Sequence, residues 1–418
     1  LRTSSRLRKT LMPRRTGGFI GHRGLQAPDP PTEVTPTAAN LGVSIAFTAP
    51  SDVGDDAITG FVAQVSTNGT DYSAGSATGS SSPIVVSSLS NGTAYTAKVW
   101  AINDYGTSSP SDASDSFTPR PDPRGIIFGG GNTSALNIIE YITISSAGNS
   151  QDFGDLTETK KGSGAYSSTT RGVCHAGQKE ASPYYLNIID YVTMASTGNA
   201  TDFGDALSIK AYGMGLSNAT RGVYGGGVDN GTAEAQMEYV TIASTGNATN
   251  FGNLAGVRNN TGDAACASPT RGIFFNGYET QGSNQLNEIA YITIGSTGNA
   301  SDFGDTAAAV YQRGACSSET RAVVSGGLPG YVNTVEYVTI ASTGNATDFG
   351  DTINRRSHGS TSSNLRGVNI GGEISSGTRT NQMDYITIAT TGNTSDFGDL
   401  TATRFLLSAT STDHGGVQ

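Results

Sequence analysis

Residues Tyr337 to Asp351 read YVTIASTGNATDFGD, and close copies of this stretch occur five more times in the chain. The tyrosine recurs at Tyr141, Tyr191, Tyr239, Tyr291, Tyr337 and Tyr385. Each is followed 12 residues later by a phenylalanine: Phe153, Phe203, Phe251, Phe303, Phe349 and Phe397. The opening Y-[IV]-T-[IM] alternates aromatic and β-branched residues, which suits a pleated strand. The Gly-Asn that follows is expected to supply the positive backbone angles of a tight hairpin turn. A short second strand is then centred on the phenylalanine, so each copy reads as a β-hairpin.

Working outward, an arginine recurs at Arg124, Arg171, Arg221, Arg271, Arg321 and Arg366, usually followed by glycine. It opens a short apolar run that mostly ends in glycines, as in RGIIFGGG and RGVYGGG. A unit therefore reads variable strand, arginine strand, glycines, loop, tyrosine strand, turn, phenylalanine strand. Four strands repeating every 46 to 52 residues indicate a β-propeller rather than a helical solenoid. The order resembles kelch repeats, with phenylalanine standing where those usually carry tryptophan.

The first copy begins at Arg124 without a preceding variable strand. Thr401 to Asp413 supplies such a strand after the last D-F-G-D, and His414-Gly415 stands where a seventh Arg-Gly would start. The C-terminal strand is thus expected to complete the first unit and close a six-bladed ring, leaving only short sheet edges. The fold class expected is all-β, with this propeller at 121–418.

The chain has 418 residues, 56 of them glycine, and a net charge of −10. Residues 1 to 24 hold seven of the 25 basic side chains and no acidic one, leaving 18 against 35, a net −17, for the remainder. An acidic body argues against nucleic-acid binding by the propeller. No apolar run reaches the roughly 18 residues of a membrane-spanning helix. Three cysteines make no disulfide framework; Cys266 and Cys316 occupy equivalent positions in two units and read as strand packing.

Residues 1–27 form a basic, glycine-containing arm without the apolar core of a secretory signal. Arg8, Arg14 and Arg15 are its candidate docking residues for an acidic partner surface; the same composition also suits a plain solvated tail. Residues 28–120 resemble a fibronectin type III domain in three motifs. These are PDPPTEVT, SIAFTAPSDVGDDAITGFVAQVS with Phe47 at the usual tryptophan position, and LSNGTAYTAKVWAIND with Tyr95 as tyrosine-corner residue. The resemblance implies a small antiparallel sandwich serving as spacer or interaction module. The linker PRPDP favours an extended connection to the repeats.

Chemistry-bearing motifs are sparse. D-F-G occurs five times but lacks the lysine and catalytic loop of a kinase. Asn199, Asp202, Asp205 and their equivalents offer oxygen ligands of the calcium type, yet Asn and Asp are equally turn formers, and the third copy carries Asn250 and Asn253 instead. Asn199, Asn247, Asn299, Asn345 and Asn393 match the glycosylation pattern, and again follow from the repeated turn. The four histidines, His22, His175, His358 and His414, form no ligand motif. No catalytic set, metal site or cofactor is expected. The most variable segments follow the glycines, between arginine and tyrosine strands, and would emerge on one face of the ring. There Tyr184, Tyr185, Tyr278 and Tyr331 are the candidate receptor-face residues, each offering an apolar ring with a polar tip; the same rings would also serve simply to cover strand ends.

The combination of the leader GGFIGHRGLQAPDPPT, one fibronectin type III domain and tandem GG…YITI…STGNA…DFGDL repeats resembles virion proteins of tailed bacteriophages, especially marine ones. The resemblance implies a non-enzymatic structural protein, exposed on the virion at tail or fibre. It would contact other virion proteins through the arm and a host-surface glycan or protein through the propeller, and a homo-oligomer fits such assemblies. A bacterial surface or secreted adhesin that binds carbohydrate is the alternative.

Overall fold

The structure, a computed structural model, describes residues 26–229, 231–259, 263–279 and 284–417. Among these there are strands and turns but no helix, so the protein is all-β, built of small antiparallel sheets. The chain divides into two compact units between Asp122 and Pro123. Arg8, Arg14 and Arg15 lie outside the described residues.

In the first unit, Thr32–Ala39, Gly42–Thr48 and Ile84–Ser87 form one sheet, and Gly75–Gly79, Gly60–Ser66, Thr96–Asn103 and Gly106–Thr107 the other. Alternation places Phe61, Ala63 and Val65 on the same side as Ala97, Val99 and Ala101, in a core shared with Val43, Ile45 and Phe47. Phe47 packs on Phe61 at 4.8 Å between ring centroids. The Tyr95 hydroxyl accepts a hydrogen bond from the Ser90 backbone N–H at 3.1 Å. The hydroxyls of Ser108, Ser111 and Ser114 accept from the N–H groups of Ala101, Val99 and Ala97 at 2.9–3.0 Å, satisfying a buried strand that has no regular neighbour there.

The second unit contains six repeat sheets, each ordered inner strand, arginine strand, tyrosine strand, phenylalanine strand. In the fifth these are Gly314–Ser317, Arg321–Ser325, Thr334–Thr339 and Thr347–Asp351. The second sheet alone is extended, by the hairpin Val228–Asp229 and Thr232–Ala233 added to its long outer strand Thr201–Ala211. The first sheet takes its inner strand, Ser408–Ser411, from the far end of the chain. It pairs with Arg124–Phe128 through Ser408↔Phe128 to Ser411↔Gly125, in the position the sequence assigned to it.

The repeated residues bind each sheet to the next. The D-F-G glycines adopt φ between +140° and +148° and lie against the Gly-Asn of the following sheet. A Cβ on Gly154 would come within 2.5 Å of the Gly198 carbonyl oxygen, and one on Gly398 within 2.5 Å of that of Gly148. The Asn side chain is the acceptor for the backbone N–H after each D-F-G: Asn199 for Asp155 and Asn393 for Asp351 at 3.0 Å, and Asn149 for Asp399 at 3.0 Å. The Gly-Asn pair is therefore not the hairpin turn expected from the sequence. The turn closes earlier, as at Ser196 N–H to Thr193 carbonyl, because the glycine and asparagine are needed against the neighbour. Each arginine lies 4.2–4.6 Å over its own sheet's tyrosine ring. It also donates to a carbonyl of the next sheet, from Arg124 to Met194 through to Arg366 to Ile144. Such a cation–π contact contributes about 0.5–1 kcal/mol, and it recurs six times.

At the centre, the inner strands contact one another in the order Gly164–Ser167, Met214–Ser217, Ala265–Ala267, Gly314–Ser317, Gly359–Ser362, Ser408–Ser411, and the last also contacts the first. Serines end five of these strands. The hydroxyl of Ser217 donates to the Ser167 carbonyl at 2.7 Å, Ser317 to Ala267 at 2.8 Å, Ser362 to Ser317 at 2.8 Å and Ser167 to Ser411 at 2.7 Å; Ser411 donates to Ser362. Where Ala267 breaks the series, the C-terminal segment fills the gap. Gly415 donates to the Ser317 carbonyl at 3.1 Å, and a Cβ on Gly416 would collide with the Ser217 carbonyl. His414-Gly415 thus seals one end of the axis instead of starting a seventh unit.

A buried cation is paired with a buried or half-buried carboxylate once per sheet. The pairs are Lys160–Asp190 at 2.8 Å, Lys210–Glu238 at 3.5 Å, Arg258–Glu288 at 2.5 Å and Arg313–Glu336 at 2.7 Å, with Arg355–Asp384 and Arg404–Glu140. Losing one partner from such a pair costs about 3–5 kcal/mol.

Three histidines are also buried. His175 has Nδ1 2.8 Å from the Tyr166 hydroxyl and Nε2 2.8 Å from Glu238; in the neutral ring Nε2 donates to the carboxylate and Nδ1 accepts from the phenol. Burial lowers its pKa despite Glu238. Burial lowers that of His358, with Arg355 and Arg313 adding to the effect, and takes His414 down to about 4. Each is neutral when folded and charges more readily when unfolded, so stability is full above about pH 6.5 and falls as the pH drops. Asp263, raised by burial, works the other way. The three histidines outnumber Asp263, so stability falls as the pH drops from about 6.5 to 4.5. Urea midpoints across this range are expected to fall steeply, and a flat profile would contradict the buried neutral histidines.

Candidate functional site

The variable segments and the turns leading into the inner strands lie at the same end of the repeat sheets. Isolated bridges join them in pairs: Lys161 with Gln178, Asn259 with Tyr278, Tyr311 with Leu328, Arg356 with Glu373 and Gly131 with Phe405. Ala211 pairs likewise with Val228.

The four tyrosines singled out from the sequence have different settings. Tyr184 is the most exposed, at 58%; its carbonyl accepts from Lys179 and closes a hairpin. Tyr185 follows it on the tyrosine strand, half-buried. Tyr278 ends an arginine strand, receives a side-chain hydrogen bond from Asn259 at 3.2 Å and meets Tyr311 edge-on at 4.9 Å. Tyr331 is bound up locally: its hydroxyl donates to Glu373 at 2.7 Å and Arg356 stands 5.3 Å over its ring.

Two further tyrosines join Tyr185 and Tyr278. Tyr212 carries φ +64°, a left-handed backbone conformation shared with the equivalent Gly162, Gln312, Ser357 and Leu406. Its ring lies across Gly162 of the preceding sheet, where a Cβ would be 2.4 Å from the ring, and its hydroxyl donates to Gln178. Burial, and then the phenols of Tyr185 and Tyr278, push the Tyr212 pKa up; burial, Tyr311 and Tyr185 do the same to Tyr278. By contact these tyrosines form two pairs: Tyr212 bonds Gln178, the strand partner of Tyr185, and Tyr278 meets Tyr311. Sequence reasoning missed Tyr212 and Tyr311 because they precede inner strands and do not sit in the variable loops. The signal was a bulky aromatic before glycine in A-Y-G at 211–213, where the other repeats carry smaller or more flexible residues.

Three cations at this end are paired with carboxylates. Lys161 pairs with Glu180 at 2.6 Å, Lys179 with Glu158 at 3.3 Å and Arg356 with Glu373 at 2.7 Å. Below, Asp263 reaches inward, its Oδ2 accepting from the Ala409 N–H at 3.2 Å while Oδ1 has no partner. It lines an axial cavity of about 40 Å³ with Ala165, Gly215, Ala265, Ala315, Ser360 and Ala409, and His414 at the other end. That space suits a water or two. Among the described residues no three His, Cys, Asp or Glu side chains gather as metal ligands. Asn199 and its equivalents spend their side-chain oxygens on the adjacent sheet. Cys174, Cys266 and Cys316 are free and buried, and Cys316 lies over Gly367 of the next sheet.

No family model and no curated protein matches the chain.

Tyr212 supplies a test of its backbone. Tyr212→Gly is expected to be more stable than Tyr212→Ala by about 1 kcal/mol, because only alanine resists φ +64°. Equal urea midpoints would contradict the left-handed assignment.

Proposed function

We propose that the protein is a non-enzymatic structural protein of a tailed-phage virion, with a fibronectin type III sandwich followed by a six-bladed, kelch-like propeller. The propeller reading is supported by six like sheets whose inner strands, D-F-G contacts and arginine contacts all run cyclically from the sixth sheet back to the first. The sandwich reading is supported by two sheets over one core and by the Tyr95 hydroxyl contact. In this reading residues 1–27 dock to other virion proteins through Arg8, Arg14 and Arg15. The sandwich is a spacer, and the loop face contacts a host-surface component.

The observation that carries recognition is the gathering of side chains from non-equivalent loops at one end of a repetitive scaffold. Everything shared by the repeats is consumed in holding the sheets together, while the aromatic residues at that end differ from repeat to repeat. Rigid frameworks with variable loops are where binding residues concentrate. Deleting residues 1–24 should release the protein from purified particles, and unchanged incorporation would remove the docking role. Immunogold labelling with an antibody to the repeats should mark the tail or fibres. Absence from particles would favour the surface-adhesin alternative.

A further inference from the structure

We infer that the axial cavity beside Asp263 is a binding site for a monovalent cation, sodium or potassium, held by one carboxylate and by main-chain oxygens. The site lies inside the ring of inner strands and is independent of the loop face.

Three observations carry it. First, Asp263 is a buried acid without a counter-charge. Glu140, Asp190, Glu238, Glu336, Glu373 and Asp384 are buried as well, and each stands beside a lysine or arginine. Asp263 is only 4% exposed. Among the described residues no lysine or arginine acts on it; burial and two backbone N–H donors do. A carboxyl group at that depth must either keep its proton or gain a positive partner.

Second, the carboxylate is presented to a cavity. Asp263 immediately precedes the inner-strand segment of the fourth sheet and reaches across the axis to Ser408–Ser411, three places away in the cycle of six. There its Oδ2 accepts from the Ala409 N–H at 3.2 Å, and the Gly215 N–H adds to the hold. Its Oδ1 is left buried and without a partner at the wall of the cavity of about 40 Å³.

Third, the remaining wall offers the oxygens such an ion needs. The N–H groups of Gly215 and Ala409 turn to the Asp263 carboxylate, and that of Ala315 donates to the Asp263 carbonyl at 3.0 Å. None of the three is therefore spent on its own arginine strand. On an antiparallel strand a residue's N–H and C=O lie on the same side, so the carbonyls of Gly215, Ala315 and Ala409 are also turned away from the arginine strands, and all three residues line the cavity. Carbonyl oxygens replace the water shell of sodium and potassium ions in this manner. A single carboxylate neutralises one positive charge. A divalent ion would leave a buried excess charge, so the site does not call for a gathering of acidic side chains.

Urea unfolding of the full chain near neutral pH tests this, with choline chloride replaced stepwise by sodium chloride or potassium chloride at constant ionic strength. At least one of the two ions should raise the midpoint. Once the site is saturated, the folding constant should grow about tenfold for each tenfold rise in that ion. Asp263→Asn, which keeps the shape and the acceptor for Ala409, should abolish the dependence, and sodium-23 NMR line broadening by the wild-type chain should be lost in the same variant if sodium is the ion. Equal midpoints in all three salts would overturn the assignment and leave a protonated carboxyl with water in the cavity. Stabilisation by calcium chloride alone, or a sodium or potassium effect that persists in Asp263→Asn, would overturn it as well. The wild-type comparison decides the matter even if the variant fails to fold.

Discussion

The contact on which the second unit depends is the seating of a glycine of one sheet directly against the Gly-Asn segment of the next. The D-F-G glycines leave no room for a Cβ, and the adjacent N–H finds its acceptor in the neighbour's asparagine. Because the same contact links every sheet to its successor, the angle between successive sheets is set locally and repeated. The cyclic order follows from that repetition, and the sixth sheet meets the first through the pairs Gly398–Gly148 and Asp399–Asn149. The Arg–Tyr stacks and the arginine-to-carbonyl bonds reinforce the same interface from the arginine strand.

This arrangement separates the residues that hold the sheets together from those of the variable segments. Tyrosine, arginine, phenylalanine, glycine and asparagine at repeat positions all face other sheets. The buried ion pairs and the serine series hold the interior, and the C-terminal segment closes the remaining gap at Ala267. Little of this machinery can change without loss of packing. At the end bearing the variable segments equivalent positions carry different side chains, with Tyr212 standing where other repeats have Gly162, Gln312, Ser357 and Leu406, and an edge-on pair at Tyr278 and Tyr311.

Much of the scaffold was legible in the sequence because it is periodic. Tyrosine and phenylalanine at fixed separation gave two strands, the arginine a third, and the leftover strand near the C-terminus a fourth for the first sheet. The buried ion pairs were written there too, in the acid immediately before the repeat tyrosine: Glu140, Asp190, Glu238, Glu336 and Asp384. They escaped notice because the fourth copy has Ala290 and moves its acid to Glu288, and because the cation is lysine or arginine at shifting offsets. The Gly-Asn segment was misread as a local turn, since its use is against a neighbour some 40 residues away. Of Tyr185, Tyr212, Tyr278 and Tyr311, only Tyr185 and Tyr278 could be singled out. Tyr212 and Tyr311 stand outside the variable segments and share no repeat position, so only the folded contacts reveal them, Tyr212 over Gly162 and Tyr311 against Tyr278.

The central claim is that the first and last strands of the second unit share one sheet and so complete the cycle. Hydrogen exchange followed by mass spectrometry tests it without altering the protein. A peptide covering Ser408–Ser411 should be as protected as those covering Gly314–Ser317 and Gly359–Ser362, since all three are inner strands bonded to an arginine strand. Exchange of the Ser408–Ser411 amides as fast as an unstructured peptide, with the other inner strands still protected, would contradict it.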